Sequence, residues 1–174
     1  QLRITHGKAM SYPELFDAAV TVKAEILLEQ RKSDEAILIL EKLNTTHPNQ
    51  IHIRKLLLRA YKQVGRLRDV IKEARYLDKK KKIDAAYAKA LIESSATTII
   101  SSPSELLWES VYEQLSAEEQ SKPSIAIAAA RRYADRSDYK QVMKVLEKAY
   151  ETDYDSQILD EYISLDIKEY QSQR

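Results

Sequence analysis

The stretch Ser33–Gly65, SDEAILILEKLNTTHPNQIHIRKLLLRAYKQVG, constrains this chain more than any other. Ala36, Leu40 and Leu43 recur at spacings of four and three, and Ile53, Leu57 and Tyr61 at spacings of four. Both sets lie on single helix faces. Between them stands Thr46-His47-Pro48-Asn49. Proline brings no N–H to a helix and pushes the residue before it toward extended backbone, so the first helix must stop there. Gly65 then offers the left-handed residue that commonly ends a helix. Helix, turn, helix follows from local chemistry.

The pattern returns along the chain. Val70, Ala74 and Leu77 repeat the spacing of Ala36, Leu40 and Leu43. Repeat starts fall at Asp17, Ile51, Ala85 and Pro123, separated by 34, 34 and 38 residues. In this register Ala36, Leu40 and Leu43 match the small, large and small positions of a tetratricopeptide repeat, and Leu57 and Tyr61 match positions of the next first helix. Leu58 departs from the usual small residue there. The resemblance implies an all-α, tetratricopeptide-like helical repeat solenoid of about four helix pairs plus a capping helix, about nine helices in all. The expected units are 17–50, 51–84, 85–122 and 123–156, with a cap over 157–170. Residues 1–12 read as a polar lead-in and 171–174 as a polar tail.

Taken in order, a helix over Pro13–Arg31 is expected to bury Leu15, Ala19, Val22, Ile26 and Leu27. Ser33 reads as the N-cap of the next helix. A helix over Ile83–Ile100 carries Ala86, Ala90, Leu91 and Ser94 at helical spacing. Ser102-Pro103-Ser104-Glu105 has the form of a capping box and predicts a helix carrying Leu106, Leu107, Trp108, Val111, Tyr112 and Leu115. The extra turn of the third unit is expected before Ser102. Trp108 falls where the first unit has Ala36, so an indole there must hold two helices apart or fill a gap. The last helix is expected to turn Ile158, Leu159, Tyr162 and Ile163 inward.

Composition narrows function. Of 174 residues only two are glycine and four proline, too few for the turns of an all-β fold. Net charge is +1, which gives no broad attraction to nucleic acid or acidic membranes. Cysteine is absent, so there is no thiolate nucleophile or cysteine metal site. No run approaches the length of a membrane helix. Gln1 is not an initiator methionine, so the chain reads as an excised fragment. The histidines His6, His47 and His52 lie in no catalytic motif. His47 and His52 invite a metal or haem reading, against which stand their places beside a turn proline and in a first helical turn, where solvent-facing polar residues are ordinary. Acidic pairs lie on exposed helix faces at ion-pair spacings. Neither catalysis nor a cofactor is expected.

The run AEILLEQRKSDEAILILEKLNTTHPNQIHIRKLLLRAYKQVGRLRDVI, with LLWESVYEQL and KQVMKVLEKAYETDYDSQILDEY later, resembles the C-terminal repeat region of the HemY-like proteins of Gram-negative bacteria. That family's frequent tryptophan after the glycine turn is Leu67 here. The resemblance implies an inner-membrane protein with two N-terminal membrane helices ahead of the repeats, the repeat domain on the cytoplasmic side, and a link to late protohaem synthesis without an established catalytic role. Partners would be proteins or peptides, haem-pathway enzymes among them.

The function expected is a protein-interaction scaffold. Repeat geometry points His52, Lys55, Leu56, Arg59 and Lys62 into the groove of the second unit, and Arg131 into the equivalent place of the last. Such a stripe is either a solvated helix face or a clamp for an acidic peptide. Lys79–Lys82 reads as a solvated turn, with a phosphate, headgroup or acidic contact as its sharper alternative. RNA binding is the alternative class. It requires repeated polar specificity residues and usually a basic face, and near-neutral charge argues against it.

Overall fold

The computed structural model describes the backbone of residues 11–172 and, within the last helix, side chains as far as Asp166 and at Glu169. Helix accounts for 81% of the described residues, and none is in a strand. The chain divides into two compact units, 1–82 and 83–174.

Unit 1 holds α1 (Tyr12–Glu29), α2 (Ser33–Thr46), α3 (Ile51–Val64) and α4 (Leu67–Lys79). Each packs on the next, and α1 also reaches α3. Leu28, Leu40, Leu57, Val70 and Leu77 are among its fully buried side chains. Unit 2 holds α5 (Ala85–Ser101), α6 (Trp108–Gln114), α7 (Ala117–Gln120), α8 (Pro123–Asp135), α9 (Tyr139–Asp153) and α10 (Ser156–Ser172). Here α8 packs on α5 and α9, α10 packs on α8 and α9, and α5 packs on α6. Ile100, Ile125, Val142, Leu146 and Ile158 form its innermost layer. The ten helices among the described residues exceed the nine expected because α7 forms separately.

Six of the nine turns between the described helices share one device. Arg31, Asn49, Gly65, Lys81, Ser137 and Tyr154 all have positive φ, between 49° and 72°. A residue in this conformation reverses the chain within a few positions and lets the following N–H groups return to the helix's last carbonyls. Only one of the six is glycine.

Five expectations are corrected. The inward face of α1 is Ala24, Leu27 and Leu28, while Leu15, Ala19, Val22 and Ile26 are exposed. Ser33 does not cap α2. It is the first helical residue, buried, and its hydroxyl donates to the Gln63 side chain of α3. The buried face of α5 is Ala88, Ile92, Ser95, Ala96 and Ile99, with Ala86, Ala90 and Ser94 outside. In α10, Ile158 and Leu165 are buried and Leu159 and Ile163 are exposed. Finally, no capping box forms at Ser102. The Glu105 N–H donates to the Ser102 carbonyl (3.1 Å) in a tight turn, and the helix starts only at Trp108, leaving Leu106 and Leu107 exposed. Arg132 of α8 braces this turn. Its guanidinium donates to the Ser102 carbonyl and to the carbonyls of Ile100 (3.4 Å) and Glu105 (3.1 Å).

Trp108 itself is buried. Its ring meets Tyr133 edge-on at 4.9 Å, while Arg132 and Arg136 lie over it at 5.5 and 5.7 Å. The helix it opens lasts seven residues. Ser116 and Glu119 then form a reciprocal capping box and begin α7.

Both units close one interface with the same three residue types. In unit 1 the Tyr61 hydroxyl donates to Glu41 (2.8 Å), which also pairs with Arg66 (3.2 Å), and Arg66 lies over the Tyr61 ring at 4.7 Å. In unit 2 the Tyr133 hydroxyl donates to Glu109 (3.3 Å), Glu109 pairs with Arg136 (2.6 Å), and Arg136 lies over Tyr133 at 5.2 Å. Burial first, then the neighbouring carboxylate, pushes both phenols up, Tyr133 to about 12.

Candidate functional site

Helix α3 buries Ile53, Leu56, Leu57, Leu58, Ala60 and Tyr61. That leaves His52, Lys55, Arg59 and Lys62, spaced three, four and three, exposed in one row. Leu56, expected in the groove, is buried instead. His52 Nε2 lies 2.7 Å from Glu25 Oε1 of α1, so the row begins at an α1–α3 bridge. Lys55 and Arg59 have no ion-pair partner among the described residues. Two adjacent cations at one-turn spacing, on a helix rigidly seated by its apolar side, can meet a carboxylate without first breaking a pair.

Arg131 stands elsewhere, in unit 2 on α8. Its Nε and a terminal nitrogen donate to both oxygens of Glu161 on α10, at 2.8 and 3.0 Å, a bidentate pair. Around it opens a cavity of about 850 Å³ between α5, α8 and α10, lined also by Thr97, Ser124 and Gln157. Thr97 Oγ1 is buried there with no hydrogen-bond partner among the described residues. The cavity's charges, Arg131 and Arg132 against Asp135 and Glu161, balance. An acid entering would have to take Arg131 from Glu161.

The remaining candidates fall as follows. His47 pairs with Asp17 (2.6 Å), so each described histidine has a single carboxylate neighbour, and His6 lies outside the described residues. Among the described residues no group of three or more histidines and carboxylates is placed to hold a metal. Lys79–Lys82 form an exposed turn. Lys80, Lys81 and Lys82 donate their backbone N–H groups to the carbonyls of Tyr76, Asp78 and Leu77, and Lys80 lies 5.9 Å over the Tyr76 ring.

A pair not anticipated from sequence joins α3 to α4. One Arg54 nitrogen donates to both oxygens of Glu73, at 2.9 and 3.1 Å, with Glu73 buried and Arg54 stacked over Tyr76 at 4.3 Å. Burial raises the Glu73 carboxyl more than Arg54 lowers it. The signal was available, since Glu73 sits between Val70, Ala74 and Leu77 on the inward face of α4.

Comparisons with protein-family models, curated proteins and solved structures return no match. Among the described residues, no helix is long and apolar enough to cross a membrane.

Proposed function

We propose that this chain is a non-catalytic scaffold whose tetratricopeptide-like helix pairs hold acidic protein segments. The observation that carries the reading is the exposed α3 row, where Lys55 and Arg59 stand uncompensated on a helix fixed by its opposite face. Cations held this way favour carboxylates, and the planar guanidinium of Arg59 can grip one with two donors. His52 and Lys62 extend the row. Arg131 offers a second, weaker contact in its own unit, because Glu161 already holds it. The resemblance to HemY-like proteins adds the setting: the repeat part of a membrane-anchored protein of the bacterial inner membrane, gathering enzymes of late protohaem synthesis.

The test is fluorescence anisotropy with labelled acidic peptides, followed by co-purification from membranes with the parent protein. Arg59→Glu should weaken peptide binding by about 1–3 kcal/mol, the scale of hydrogen bonds to charged groups. Reversing Lys79–Lys82 is the control and should do much less. Equal binding by wild type and the Arg59 variant would sink the clamp, and loss only in the turn variant would move the site to the lysine run.

A further inference from the structure

Each unit carries an apolar face that its own helices leave open. In unit 1 this is the outer side of α1. Leu15, Val22 and Ile26 are 57%, 53% and 48% exposed there, although the opposite side of the same helix is core. A helix that is apolar on both sides is suited to being covered on both sides. On a different side of α1, the one turned toward α2, Phe16 and Val20 of α1 with Ile39 and Leu43 of α2 line an open cavity of about 600 Å³, and this cavity is the α1–α2 face. Lys23 and Lys42 stand in its wall with no ion-pair partner among the described residues, and the remaining charged groups there, Asp17 and His47, pair with each other at 2.6 Å.

In unit 2 the open face belongs to α10. Leu159 and Ile163, one turn apart, are 41% and 51% exposed. At 100° per residue, Asp160 falls on one flank of this pair and Asp166 on the other. Both are exposed and have no ion-pair partner among the described residues.

We propose that these faces dock on each other between separate copies of the chain, α10 of one copy on the α1–α2 face of the next. Apolar side chains meet apolar ones, and Asp160 and Asp166 meet Lys23 and Lys42. The dimensions agree. Pro13 to Lys23 spans about 15 Å of helix and Leu159 to Asp166 about 10 Å, at 1.5 Å per residue. A second copy is the occupant because the complementary set, two apolar side chains bracketed by two uncompensated carboxylates, is already on this chain. Pairing two α1–α2 faces with each other instead would gather four lysines, and like charges juxtaposed are strongly disfavoured. Contact between unlike faces is heterologous, so each copy can engage two others.

Analytical ultracentrifugation of the full chain tests this. Weight-average mass should rise with concentration and fall back as added salt screens the charges. Lys23→Glu with Lys42→Glu, and separately Asp160→Lys with Asp166→Lys, should each weaken self-association at least about tenfold, or 1.4 kcal/mol. Mixing the two variants should restore it, because each then offers the charge the other lacks. Circular dichroism checks that both remain helical, and an unfolded variant could not rescue its partner. The proposal fails if wild-type mass is independent of concentration, if the lysine variant alone associates like wild type, or if the mixture stays monomeric. The acidic-peptide clamp on α3 is untouched by any of these results, since no residue is shared.

Discussion

Units 1 and 2 solve the same packing problem at two sizes. Both place a tyrosine, a glutamate and an arginine across one interface: Tyr61, Glu41 and Arg66 in the first, Tyr133, Glu109 and Arg136 in the second. In the first, α2 runs 14 residues with Ala36 and Leu40 buried. In the second, buried Trp108 precedes Glu109 as buried Leu40 precedes Glu41, and the helix that Trp108 opens ends after seven residues. The indole occupies volume that a neighbouring helix would otherwise fill, and protein interiors have little spare room. In unit 2 Trp108 is held between Tyr133 and two guanidiniums. The helices around the two triads differ in length while the polar closure keeps its chemistry.

The largest expected effect tests whether the indole is what unit 2 stands on. Trp108→Ala should cost about 3–5 kcal/mol in denaturant unfolding, the scale of an aromatic deletion that leaves a cavity. Hydrogen exchange should show the loss in α6 and α8. A cost below about 1 kcal/mol would mean that the site collapses freely. The reverse change, Ala36→Trp, should cost about 1–3 kcal/mol or more by overpacking. An unchanged melting temperature would place Ala36 away from a close contact and end the comparison.

The two tyrosines sharpen it by pH. Each phenol is raised in the folded state, so the unfolded chain gives up its protons first. Their contribution is whole below about pH 10, the ordinary tyrosine value, and is lost as pH rises toward about 12, where Tyr133 titrates. Chemical denaturation across that window should show declining stability, less steeply in Tyr133→Phe and in Tyr61→Phe. A slope unaltered in both variants would mean that neither buried phenol drives it. The smallest expected effect is Gly65→Ala. At φ +72° an alanine is strained by about 1–2 kcal/mol, although its methyl group meets nothing within 4 Å. A thermal melt that matches wild type would show the turn relaxing at no cost.

How much of this was legible depended on how one-sided each helix is. α3 and α4 have polar and apolar sides well separated, and the sequence period places their core residues inward. α1 and α5 carry apolar residues on nearly every side, so periodicity cannot choose a face; the corrections at Leu15, Val22 and Ala86 come from there. The break at Ser102 was hard to read because the side chain that braces it, Arg132, lies 30 residues away and acts on backbone carbonyls. The α3 row was legible as a row, since spacing alone defines it. That Arg131 is held by Glu161 was not, because an ion pair between helices depends on packing that no local pattern encodes.

The left-handed turns have a consequence for anyone wishing to harden this protein against heat. Arg31, Asn49, Lys81, Ser137 and Tyr154 sit in a conformation that costs an L-residue about 1–2 kcal/mol each, least for asparagine. Glycine would relieve that strain while giving up about 0.5–1 kcal/mol of chain entropy. Each non-asparagine position thus holds up to about 1 kcal/mol of latent thermal tolerance. None of these residues belongs to the buried core or to the α3 row, so the improvement can be drawn from the turns alone, one substitution at a time.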